Sequence, residues 1–159
     1  MKENNEIRAS IKAILEENYL LTLSTSEDNS PHSCTAFYVY DENFNLYIWT
    51  DKNSMHSKNI EKNNKVSINI VDTSQKWGTL LKGLQIKGTS NIIQDKDLNK
   101  VGKLYIDRYP NVSKFVKKPS DFHMEELESH LYQITPKTIK VLDEKKFGKE
   151  KHKELSLKK

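Results

Sequence analysis

The sequence predicts a mainly β protein with flanking helices, arranged as a small closed or half-closed antiparallel barrel. Two observations predict it. Seven short segments rich in β-branched and aromatic residues are bounded by clusters of Asn, Asp, Ser, Gly or Pro, while few segments carry a helical period. No period of roughly 20–50 residues marks a repeat architecture. At 159 residues the chain fits one domain with a single core. Its mean hydropathy of −0.77 is polar, yet fourteen aromatic residues and periodic Ile, Leu and Val runs argue against disorder.

Residues 6–18 place Ile7, Ile11, Ile14 and Leu15 at helical spacing between Lys and Glu, which predicts an amphipathic helix laid on the core. Residues 19–25 (YLLTLST) predict a strand, and Glu27-Asp28-Asn29-Ser30-Pro31 a turn. Residues 32–40 (HSCTAFYVY) alternate and complete a hairpin; 41–45 turn again, and 46–50 (LYIWT) form the third strand. The period then changes. Residues 51–64 are polar and predict a short helix capped by Asn53 or Ser54. Residues 65–72 form a fourth strand, and a loop with Trp77 and Gly78 leads to a fifth at 81–94. Gly83 and Gly88 mark a bulge or a close backbone approach in that strand. Asp95 is the expected cap of a helix whose Leu98, Val101, Leu104 and Tyr105 share a face, ending before Pro110. A short helix is expected after Asp121. Residues 131–134 and 138–142 read as a closing hairpin around Thr135-Pro136-Lys137.

A net charge of +4 and a pI near 9.0 raise the question of a nucleic-acid partner. All of that charge lies in residues 144–159, which hold seven Lys and three Glu; residues 1–143 are neutral. Only Arg8 and Arg108 are arginines, although forked recognition of phosphates and bases favours Arg. The chain therefore reads as one domain over 1–143 with a solvated basic tail over 144–159, and no nucleic acid as partner. No apolar run reaches the roughly 20 residues of a membrane helix. The first residues carry no apolar signal segment, so the expectation is a cytoplasmic protein. Cys34 is the single cysteine, which excludes an internal disulfide and a Cys-cluster metal site. It alternates with Ala36 and Tyr38 and reads as a small buried side chain.

The segment 46–60 (LYIWTDKNSMHSKNI) holds the candidate chemistry. A strand ends at Thr50 and a helix begins near Ser54, where free N–H groups and partial positive charge suit a phosphate. The Thr50 and Ser54 hydroxyls can donate to it, and His56 and Lys58 can supply cationic donors. A plain strand–turn–helix with Ser54 as its cap accounts for the same residues. His123, His130 and His152 lack metal-ligand spacing, so no metal site is assigned. His32 reads as a surface histidine at a strand start.

Four landmarks between residues 7 and 149 carry a resemblance. They are the first helix and strand leading through Pro31-His32-Ser33 to Ala36-Phe37-Tyr38; LYIWT with Ser54-Met55-His56 and Asn59-Ile60; residues 81–88 (LKGLQIKG); and the closing LYQITPKTIKVLDEKKFGK. In order and spacing the chain resembles the pyridoxamine-5′-phosphate-oxidase-like superfamily of FMN-binding split β-barrels, with greatest likeness to its YhbP-like branch. The resemblance implies a homodimer with FMN at the interface and an oxidoreductase of unknown substrate. Thr50 and Ser54 would match the phosphate hydroxyls, while Met55 and His56 stand where many relatives have Arg and Lys. Lys58 would replace part of that charge. Thr35, Ala36 and Phe37 would run along the isoalloxazine ring, or simply pack in the barrel. Trp77, Leu81 and Lys82 would approach from the second subunit, and Phe147 with Lys149 from the C-terminal segment; core or loop packing is an equal reading of Trp77. A true pyridoxamine-phosphate oxidase is not implied, since no Arg follows Arg108. The alternative is a ligand-binding split barrel without catalysis, holding haem or another small molecule; a deazaflavin is a third option.

Overall fold

The fold was examined as a computed structural model, which describes residues 2–123 and 128–157. Helix α1 (Lys2–Glu17) leads into a hairpin of β1 (Leu20–Glu27) and β2 (Ser30–Tyr40). Asp28 and Asn29 turn that hairpin with φ of 47° and 62°, the left-handed pair that a two-residue loop requires. Strand β3 (Leu46–Asp51), helix α2 (Met55–Lys62), β4 (Lys65–Val71) and β5 (Lys82–Ile92) follow. Helix α3 (Asp95–Arg108) and two short 3₁₀ segments, Pro110–Lys114 and Pro119–His123, precede the long β6 (Ser129–Asp143). A single turn, α4 (Glu144–Phe147), and β7 (His152–Ser156) complete the described chain. The helix expected after Asp121 falls partly on residues 124–127, with Glu125 and Glu126, which lie outside the described residues.

Neighbouring strands run β3-β2-β1-β4-β5-β6, and β6 returns to pair with β3, closing a six-stranded antiparallel barrel. Strand β7 adds to the outside of β6. Alternation along β1 and β4 sends Leu21, Leu23, Val66, Ile68 and Ile70 inside. Ile7, Ile11, Ile14 and Leu15 of α1 close over that interior, each at most 4% exposed. Burying each such side chain contributes about 1.5–3 kcal/mol. A second cluster forms outside the barrel, where Leu98, Val101 and Tyr105 of α3 pack with Phe122 against Val39 and Tyr47.

Three expectations are corrected. Residues 131–134 and 138–142 do not form a hairpin; they are two halves of β6, joined through Pro136. Gly88 lies opposite Pro136, and a Cβ there would stand 2.3 Å from the Thr135 carbonyl oxygen, so only glycine lets the backbones approach. The register shift at Lys87/Gly88 absorbs Lys137 as a bulge, which allows a proline inside a strand. The basic tail is not a solvated end either. Thr138–Leu142 pair with β7, Leu155 is 5% exposed, and Glu144 accepts from the backbone N–H groups of Leu81 and Glu150. His152, Glu154 and Ser156 give β7 a solvated face, while Lys153 and Leu155 lie on the face that packs. Finally, Gln94 rather than Asp95 occupies the cap of α3, and its side chain makes no capping bond.

Candidate functional site

Strands β2 and β3 are paired only over Tyr38–Tyr40 and Leu46–Ile48. Beyond that ladder β2 stays with β1, while Trp49, Thr50 and Asp51 follow β6. The barrel is split there. A cavity of about 630 Å³ occupies the split, lined by Thr35, Ala36, Phe37, Trp49 and Thr50 and covered by Tyr105, Tyr109 and Phe115. That size lies within the range of small-molecule and cofactor sites.

The cover is held by hydroxyl bonds to strand backbone. Tyr105 donates to the Tyr47 carbonyl at 3.0 Å, and Tyr109 to the Tyr38 carbonyl at 2.6 Å. Burial raises both phenols above their ordinary pKa, so they stay protonated donors. Arg108 ties α3 to the end of α1, where carbonyls lack helical partners, donating to Leu15 O at 2.8 Å and Asn18 O at 2.7 Å. Its guanidinium also lies 4.9–5.9 Å from the ring centroids of Tyr19, Tyr38, Tyr40 and Tyr109. Two buried N–H groups of lining residues, Trp49 Nε1 and Arg108 Nε, have no hydrogen-bond partner.

Thr50 joins this cavity to a polar cluster at the start of α2. Thr50 Oγ1 lies 2.7 Å and Ser54 Oγ 3.0 Å from His56 Nε2. Ser54 is the cap of α2 and accepts from the Ser57 backbone N–H at 3.3 Å. Its hydroxyl also lies 2.8 Å from Asp51 O and 2.9 Å from Ser57 Oγ. The His56 ring stacks on His32 of β2 with centroids 6.2 Å apart and planes 11° from parallel. Burial lowers the pKa of His56 and the neighbouring His32 lowers it further, against the pull of Asp51. His32 is thus half-buried in an imidazole pair rather than a free surface histidine.

Of the residues the sequence singled out, Thr35, Ala36, Phe37 and Thr50 line one cavity, and Ser54 and His56 adjoin it through Thr50. Met55, at 56%, and Lys58 are both exposed on α2. Trp77, Leu81 and Lys82 belong to the segment between β4 and β5 and its edge, and do not line the cavity of their own chain. Trp77 is fully exposed, which excludes core packing. Phe147, the last residue of α4, is half-buried against the barrel core, and Lys149 is exposed. Arg108, Tyr109 and Phe115 were not singled out by sequence. The available signal was an arginine, one of only two, beside a tyrosine at a helix end.

The sequence profile of the family described as Pyridoxamine 5′-phosphate oxidase matches residues 7–143, most of the chain. The chain belongs to that family. A UPF0306 protein of Klebsiella pneumoniae (strain 342) is 26% identical to the chain over 149 residues, covering 92% of each. A heme-binding protein from Mycobacterium smegmatis shares the fold with a TM-score of 0.75 at 10% identity, over 94% of this chain and 57% of its own. A FAD-binding protein from Mesorhizobium loti superposes with a TM-score of 0.62 at 14% identity, over 82% and 88%. At these identities the two structures show a shared fold alone. Among the described residues no helix is long and apolar enough to cross a membrane.

Proposed function

We propose that the protein is an FMN-binding flavoprotein, an oxidoreductase acting as a homodimer with flavin at the interface. The observation that carries this reading is the cavity in the barrel split. Its planar aromatic walls and volume of about 630 Å³ match a flat heteroaromatic ring. Thr35, Ala36 and Phe37 would flank the ring, and Tyr109 and Phe115 would exclude water from it. Thr50 and Ser54 would take the phosphate, with Lys58 and the α2 N-terminus adding positive potential. Bound flavin would supply hydride or electron transfer, while the chain supplies binding, orientation and electrostatics.

Trp77 and Leu81, both exposed, are suited to reach the flavin of a second copy together with Lys82. Phe147 and Lys149 would complete that contact from the C-terminal segment. A phosphorylated pyridine is a poor match as substrate: Arg108 is the only cation lining the cavity among the described residues, and one of its terminal nitrogens is committed to two carbonyls.

The haem reading draws on the Mycobacterium smegmatis relative. Among the described residues no His, Cys or Met lines the cavity, and Tyr105 and Tyr109 are held protonated by burial, which favours flavin over an axial-ligand cofactor. Absorbance of protein purified without added cofactor tests the choice. A two-band flavin spectrum is expected. A colourless protein that takes up no added FMN overturns the proposal, and a single intense Soret band replaces it with haem.

A further inference from the structure

The hydroxyls assigned to the phosphate are already engaged. The Ser54 hydroxyl donates to Asp51 O at 2.8 Å, and Thr50 Oγ1 lies 2.7 Å from His56 Nε2, with Ser54 Oγ 3.0 Å from the same nitrogen. A bare imidazole nitrogen accepts, so in the neutral ring with its proton on Nδ1 the Thr50 O–H points at His56 instead of at a ligand. A proton arriving at Nε2 reverses the polarity of that contact. Nε2–H then donates to Thr50 Oγ1, and the Thr50 O–H is released toward the cavity that Thr50 also lines. One proton therefore frees a donor and adds a positive charge at the same place.

We propose that His56 is a proton-operated latch on the phosphate subsite: neutral, it holds the Thr50 hydroxyl; protonated, it hands Thr50 to the phosphate and binds the anion beside it. This rests on the flavin reading and adds to it the regulation of that site. The groups facing His56 fit a latch that is closed near pH 7. His32 stacks on it from β2, so a charge on one ring opposes a charge on the other. Asp51, at the end of β3, pulls the other way. On β1, Thr25 is tied up by Asn59, and Glu27 by Lys62. A phosphate dianion adds negative potential next to the ring, so binding takes one proton from solvent onto His56 Nε2.

The test compares affinities for FMN and for riboflavin, which lacks the phosphate, from pH 8.5 to 5.5 in the wild type, His56→Gln and His56→Lys. In the wild type the FMN-to-riboflavin affinity ratio should rise about tenfold between pH 8 and 6. In His56→Gln it should follow only the phosphate's own ionisation, and in His56→Lys it should be high and flat above that ionisation. Calorimetry in buffers of different ionisation enthalpy should show proton uptake with FMN and none with riboflavin. Identical pH profiles in the wild type and His56→Gln overturn the latch. Should neither flavin bind at any pH, the flavin reading fails by itself. The latch is then decided by NMR titration of the His56 C2 proton with inorganic phosphate: an upward-shifted midpoint supports it, and an unmoved one overturns it.

Discussion

Asp41 has a side chain only 4% exposed, and it is kept charged by what surrounds it. Burial alone would raise its pKa, but donors from the backbone of Asn43 and Asn45, the Asn45 amide and the Tyr47 hydroxyl hold it below the usual carboxylate range. A carboxyl with a depressed folded pKa contributes stability above its unfolded pKa of about 3.9 and loses it as pH falls through the folded value. Urea unfolding between pH 2 and 6 should therefore show stability declining below about pH 4, with a shallower decline in Asp41→Asn. At neutral pH that variant should lose about 2 kcal/mol. At the Ser54 cap, Ser54→Ala should cost about 1 kcal/mol of stability by the same measurement. Together with Thr50→Ala it should weaken FMN binding more than riboflavin binding; equal losses would place the phosphate elsewhere. Thr50 and Ser54 were legible because a strand end and a cap are local signals. Arg108 was not, because its partners, Leu15 and Asn18, lie 93 and 90 residues away.

Strand β6 marks where local reading stopped serving. The apolar face of α1 and the Asp28-Asn29 turn declare themselves within a few residues, and both elements are found. Pro136 declares a turn by the same rule, yet it sits inside a strand because Gly88 on the neighbouring β5 has no side chain. Gly88→Ala should therefore destabilise by about 1–3 kcal/mol in denaturant unfolding, with a displaced β5–β6 register. Strand β7 reads as tail in the sequence because residues 144–159 carry seven Lys and three Glu; a five-residue strand on an edge needs little apolar content. Leu155 is its buried anchor, and Leu155→Ala should cost about 2–4 kcal/mol.

For the molecule as a whole, the fold class was legible and the assembly is a proposal. Fully exposed Trp77, with Leu80 and Leu81 about half exposed beside it, is an apolar tip that a second copy would cover. Trp77→Asp should shift sedimentation toward the monomer and lower flavin retention, leaving the far-UV circular dichroism unchanged. Another whole-chain feature concerns time. Ser10 of α1 bonds Asp143 across 133 residues, and Glu3 pairs with Lys153 across 150. A ribosome adds about 5–20 residues per second. The first helix therefore emerges about 7–27 s before the last strands that clasp it, with Ile7, Ile11, Ile14 and Leu15 unburied meanwhile. Throughout that interval the nascent chain presents an amphipathic segment whose apolar face has no finished barrel to cover.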